Sequence, residues 1–202
     1  MSNLRESALR ALAAHPLTLD LGGGRAFQKR LSGARALFEG KRFYSLDLSP
    51  ERGPDIVGDI QRLPLADGSI EGIVCLSVLE HVPDPWRAVS EMHRILKPGG
   101  RALVHVPFLH PDHGTPTLPD YHRFTSDGVR RLFRFFSRVE VEALDDYVEA
   151  VAKMATGFRV PRLARTAAGS VRRALSLVSR LVRGRPVGRG RQTTGFDILA
   201  VK

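Results

Sequence analysis

Three aspartates close three short apolar runs: Leu17-Thr-Leu-Asp20, Arg42-Phe-Tyr-Ser-Leu-Asp47 and Asp55-Ile-Val-Gly-Asp59. The first run passes through Leu21 into Gly22-Gly23-Gly24, after which helix-forming residues resume. That is the pattern of a buried strand, a tight turn and a helix N-terminus, where a chain without Cβ lets a ligand approach the backbone. Ligands of open α/β sheets bind outside the carboxyl ends of the strands. Three carboxylates at three strand ends can accept from an amine, from ribose hydroxyls and from an adenine amino group. A dinucleotide fingerprint would need glycines at 22, 24 and 27, but position 27 is Phe27. A pyrophosphate would also be repelled by Asp20, so the ligand should be cationic or neutral at the turn. Taken singly, Asp47 or Asp59 is equally well explained as a cap or turn former. The line of three carries the reading.

A second concentration of reactive groups is the stretch 107–124, which holds His110, Asp112, His113, Asp120, Tyr121, His122 and Arg123. It follows a strand and so lies at the same sheet edge, where a second substrate would enter. Histidine is the side chain best matched to proton transfer near neutral pH. His113 and His110, then His122, are the candidate bases, while Asp120 and Arg123 are expected to brace the loop. A metal site could draw on His110, Asp112 and His113, but neither helical histidine spacing nor thiolates support it, and no metal is expected. Cys75 sits in an apolar run and reads as core. Trp86 is expected to cover the sheet, and His93 and His105 to be structural.

These groups require a frame. Helical pattern covers 3–14, 25–38, 85–97 and 125–136, with Pro85 near one start, Thr125 as a cap and Pro98-Gly99-Gly100 as a stop. Strands are expected at 16–21, 42–47, 55–59, 70–76, 101–106, 139–144 and 195–201. Alternation of strands and helices predicts an α/β fold: a Rossmann-like, doubly wound, seven-stranded sheet, mostly parallel with an antiparallel last strand. Length and apolar content favour one domain over 1–202, with 150–192 a basic helical insertion between the last two strands.

On the motifs LDLGGGRA (19–26), YSLDLS (44–49), GDIQRLPLADGSIEGIVCLSVLEHVPDPWRAVSEMHRILKPGG (58–100) and DYHRFT (120–125), the chain resembles class I S-adenosylmethionine-dependent methyltransferases of the small bacterial type. The resemblance spans about residues 15–145 and the last strand. It implies that Asp20 and the turn Gly22, Gly23 and Gly24 hold the methionine part of S-adenosylmethionine. It further implies that Asp47, with Leu48 beside it, takes the ribose hydroxyls, and Asp59 with Ile60 the adenine. Ser77 and the stretch to His81 would lie beside the sulfonium. Ala26 stands where many members carry a third glycine. Methyl transfer to an acceptor is the implied activity, and analogy with similar proteins favours an oxygen of a sugar, lipid-linked glycan or secondary metabolite. The alternative is a non-catalytic module that keeps the fold and docks on anionic membrane or nucleic acid.

The charge is uneven. Residues 1–150 hold 19 basic and 20 acidic residues, whereas 151–202 hold 12 basic residues and one acid, Asp197. Within 162–186 the apolar residues follow helical spacing and the arginines fall mostly off that face. This fits a helix packed on the body or one lying on anionic lipid. Nucleic acid is a weaker candidate, because no aromatic residue in 162–186 offers base stacking. One cysteine and the lack of an apolar leader or an 18-residue apolar run predict a cytoplasmic protein, with a possible peripheral position at the inner membrane face.

Overall fold

The computed structural model describes residues 2–144 and 193–202. Helix α1 (Asn3–Ala13) precedes strand β1 (Leu17–Leu21), and a 3-10 helix (Lys29–Phe38) leads to β2 (Arg42–Asp47). Strands β3 (Ile56–Val57) and β4 (Ile70–Leu76) follow, then α2 (Pro85–Ile95), β5 (Leu96–Pro107), α3 (Ser126–Leu132), β6 (Arg138–Ala143) and β7 (Gly195–Val201). The strands form one sheet in the order β3-β2-β1-β4-β5-β7-β6. Pairs among β1 to β5 are parallel, and β7 runs antiparallel to both its neighbours. This is the expected fold. The basic helical insertion of 150–192 lies outside the described residues.

Successive side chains of a strand point to opposite faces, and the two cores divide accordingly. Val74 and Leu103 pack with Ala8, Leu9 and Leu12 of α1 and with Leu31, Ala34 and Phe38. Ile73, Cys75, Ala102 and Val104 pack on the other face with Ala88, Val89, Met92 and Ile95 of α2 and Val129 and Leu132 of α3. Ser2 caps α1 through its side chain, and Thr125 caps α3 as its type predicts. α1 is also pinned by charge: Arg5 forms a buried ion pair with Asp197 of β7, and His105 Nδ1 lies 3.0 Å from the same carboxylate oxygen. Burial alone would raise the Asp197 pKa, but hydrogen bonds from His105, Arg5 and Ser2 outweigh it and hold the carboxyl below its usual range.

Several local expectations are corrected. The run 25–38 is not an α-helix from its start: Phe27 has φ 60°, and a 3-10 helix begins only at Lys29. Gln28 makes no capping side-chain bond and Gly33 sits mid-run, so an α-helical nucleus is weak there. Its aromatic ends, Phe27 and Phe38, instead gather on Phe43, with ring centroids 4.2 Å and 4.8 Å away. Strand β3 has two residues, which leaves Asp59 just beyond it. Strand β5 starts at Leu96, ahead of Pro98-Gly99-Gly100, because the chain turns directly from α2 into pairing with β4. Trp86 is about half exposed and does not cover the sheet, since the apolar face of α2 is carried by Pro85, Ala88, Val89, Met92 and Ile95.

Candidate functional site

A cavity of about 450 Å³ opens at the carboxyl ends of β1, β2, β4 and β5, a size within the range of small-molecule sites, about 300–1,000 Å³. Its walls include Asp20, Gly22, Gly23, Asp47, Leu48, Asp59, Ile60, Ser77, His81, His110 and His113. The parallel register explains this gathering: Asp20 stands beside Ser45 and Val74, and Asp47 beside Val57, so the strand ends are level.

The glycine turn is shaped around Asp20. Gly22 has φ 74°, and its amide donates to Leu46 O at 2.7 Å. A Cβ on Gly23 would lie 2.2 Å from Asp20 Oδ2, so the carboxylate folds back over a backbone that only glycine can supply. Asp20 is 3% exposed. Burial, and then the charge of Asp47, push its pKa up to about 7. A carboxyl under that strain favours a cation beside it.

Asp47 accepts from Gly24 N at 2.9 Å, Ser49 N at 3.0 Å and Arg52 Nη1 at 3.2 Å, and its carboxylate borders the cavity. Gly24 therefore does not line this cavity; its amide is spent on positioning Asp47. Asp59 Oδ1 accepts from Gln61 N at 2.8 Å, so it is a turn former and a cavity wall at once. Ser77, at the end of β4, has φ 59°, a conformation uncommon for a side-chain-bearing residue.

The opposite end is built by the 107–124 loop. Glu80 O accepts from Tyr121 N at 2.7 Å and His122 N at 3.2 Å, which ties the loop to the turn after β4. Arg123 grips Asp120 with two guanidinium nitrogens and donates to His110 O at 2.9 Å and Pro111 O at 2.8 Å. The Arg123 hydrogen bonds, above all, hold the Asp120 carboxyl well below the usual carboxylate range. The bracing role expected for this pair is present, and Asp120 has a second contact: His113 Nδ1 lies 3.0 Å from its Oδ2. His110 and His113 rings meet edge to face at 4.9 Å. His122 does not join them. Its Nε2 lies 3.3 Å from Pro83 O, and it is absent from the cavity wall. Its amide is held on Glu80 O and its ring on Pro83 O, away from the cavity wall.

Reading by motif passed over several wall residues: Gln28, Arg52, Gln61, His105, Leu118 and Thr194. None carries a spacing signal. Arg52 and His105 are brought in by the partners Asp47 and Asp197, which only the fold supplies. Glu80, buried at 1% exposure, was visible only as part of the VLEH stretch. His93 packs edge-on against Phe136, as a structural histidine would.

A family model for a methyltransferase domain matches residues 19–104. A methyltransferase of Mycobacterium sp. (strain KMS), itself uncharacterised, is 35% identical over 116 residues, which covers 52% of this chain and 44% of that protein. The chain thus spans less than half the length of the curated relatives it matches first. Among solved structures, a SAM-dependent methyltransferase from Archaeoglobus fulgidus superposes with TM-score 0.60 at 15% identity, over 98% of this chain and 91% of that one. The [4+2]-cyclase SpnF superposes with TM-score 0.52 at 18% identity, over 96% and 79%. Residues 19–104 thus match a methyltransferase domain, and the described residues share the fold of the S-adenosylmethionine-dependent methyltransferase from Archaeoglobus fulgidus.

Proposed function

We propose that this domain binds S-adenosylmethionine along Asp20, Asp47 and Asp59 and transfers its methyl group to an oxygen acceptor entering beside His110 and His113. The observation that carries the reading is the level line of carboxylates bordering one cavity, with Asp20 buried beneath the glycine turn. A cationic methionine end relieves the burial of Asp20. The lone pairs of Asp47 that face the cavity suit a pair of ribose hydroxyls, while Leu48 and Ile60 offer apolar surface to the adenine near Asp59. Ser77 and His81 flank the sulfonium.

The sulfonium is already an activated donor, so the protein's task is to hold the acceptor in line and take its proton. His110 and His113 reach the cavity for that role; His122 does not. We favour an oxygen of a sugar, lipid-linked glycan or secondary metabolite, and we read the arginines of 162–186 as a face toward anionic membrane. Leu144 and Thr194, described residues on either side of 145–192, both border the cavity. Among the described residues, no helix is long and apolar enough to cross a membrane.

A non-methylating use of the fold is the second reading, favoured by one fact: SpnF, named as a cyclase, shares it. Mass spectrometry of small molecules released from the freshly purified chain decides between them. S-adenosylmethionine or S-adenosylhomocysteine, together with methylated product on incubation, supports methyl transfer. Bound cofactor with no methylated product from any oxygen acceptor in an extract of the source cells overturns it in favour of the second.

A further inference from the structure

We infer that Glu80, His81 and His113 form a site for a divalent transition-metal cation at the acceptor end of the cavity. One ligand atom from each lies within 4.8 Å of the other two, and His113 Nε2 is 4.0 Å from Glu80 Oε1. The inference sharpens the acceptor end of the reading above, although binding of the cation does not itself require methyl transfer.

The hydrogen bonds around the two rings prepare them as ligands. His81 Nδ1 lies 2.7 Å from Pro119 O; His113 Nδ1 is hydrogen-bonded to Pro111 O at 3.4 Å, with Asp120 Oδ2 in ion-pair contact 3.0 Å away. A carbonyl and an ionised carboxylate can only accept, so each ring carries its proton on Nδ1 and keeps a lone pair on Nε2. Asp120 in turn is fixed by the two-nitrogen grip of Arg123. Metal-binding histidines characteristically donate their other nitrogen to a carbonyl or carboxylate in this way, which sets tautomer and ring orientation. Glu80 adds a carboxylate that is buried at the cavity wall. Two imidazole lone pairs and a buried carboxylate facing one another are electron-rich groups that a cation would join.

Metal–nitrogen and metal–oxygen bonds of about 2.0–2.2 Å draw neighbouring ligand atoms closer than they stand here. The adjustment falls on His113, the more exposed of the three, which is carried on a loop. Two imidazoles with one carboxylate suit zinc, iron, cobalt or nickel better than magnesium or calcium, which prefer oxygen ligands. Three protein ligands leave coordination positions open. Because all three residues line the cavity, those positions face it and would take an oxygen of the acceptor. As a ligand His113 gives up its Nε2 lone pair, so proton transfer falls to His110, which stays outside the ligand set. The trio differs from the His110, Asp112 and His113 set weighed from the sequence, because Glu80 and His81 come from the turn after β4, 33 and 32 positions before His113.

The test is a Co(II) titration of the chelator-treated full chain, read by visible absorption and by metal content after equilibrium dialysis. S-adenosylmethionine binding is measured on the same metal-free samples. The expected result is one Co(II) per chain, displaced by Zn(II). His113→Ala and Glu80→Gln should each weaken binding at least tenfold, and Asp120→Asn by about tenfold. His113→Ala removes a partly exposed side chain and keeps the test valid if Glu80→Gln fails to fold. Wild-type protein binding Co(II) no more tightly than His113→Ala overturns the inference. Loss of S-adenosylmethionine binding alone, with Co(II) retained, overturns the cofactor reading and leaves the metal site in place.

Discussion

Asp20 is the residue whose chemistry is set most directly by its surroundings. Its pKa is pushed up to about 7 by burial and by Asp47, so near neutrality the ligand-free protein carries it in mixed protonation states. A bound cation restores the ionised form, and binding therefore releases a proton. S-adenosylmethionine affinity should rise with pH up to about 7 and level off above it, weakening at most about tenfold per pH unit on the acid side. Calorimetry at pH 6.5 in two buffers of different ionisation enthalpy reads the proton released; a pH-independent affinity between 6 and 8 would contradict the assignment. The same raised pKa costs folding stability as pH climbs from the usual carboxylate range toward 7. Asp120 and Asp197, whose pKa values are depressed, act with the opposite sign: their contribution is present above that range and lost on acidification. At Gly23 the constraint is steric. Gly23→Ala should displace the Asp20 carboxylate and reduce S-adenosylmethionine affinity by tenfold or more while the far-ultraviolet circular dichroism is retained.

At the scale of elements, α1 is held to the sheet by more than its apolar stripe. Arg5 and His105 both face Asp197 in the core, and His105 also borders the cavity. Arg5→Ala takes one of three hydrogen-bond partners from a buried carboxylate and should cost about 3–5 kcal/mol, measured as a drop in the urea midpoint. A loss below about 1 kcal/mol would show that the ion pair contributes little. The elements were unequally legible in the sequence. Strands β1, β2, β4 and β7 are short, largely apolar runs with clear ends, and their bounds were readable nearly to the residue. The 3-10 helix was not, because apolar spacing at Ala26, Phe27, Leu31, Ala34 and Phe38 reports which side is buried and not how tightly the chain is wound. Trp86 was misplaced for a related reason: a large apolar residue gives no sign of which side of a helix start it will occupy.

Across the whole molecule, one end of the cavity was written in the chain and the other was not. Asp20, Asp47 and Asp59 stand at strand ends, so a strand order suffices to align them. His113, Asp120 and Glu80 meet only because the 107–124 loop folds back onto the turn after β4, and no local pattern encodes that. His110 and His113 were found by residue type, His122 was included on the same ground, and Glu80 acquired its importance from burial. Leu144 and Thr194, on either side of 145–192, both line the cavity. Deleting 158–191 should leave S-adenosylmethionine affinity within about threefold while changing sedimentation with vesicles of anionic phospholipid. Unchanged sedimentation would refute the membrane-facing reading.

The central claim is that the line of aspartates is an S-adenosylmethionine site. Isothermal titration of the full chain with S-adenosylmethionine tests it most directly, with Asp47→Ala as the comparison. A single site of micromolar affinity in the wild type, weakened by about thirtyfold or more when the Asp47 carboxylate is removed, corresponds to the loss of roughly 2 kcal/mol or more of charge-assisted hydrogen bonding. No heat of binding in the wild type, or equal affinity in Asp47→Ala, contradicts it.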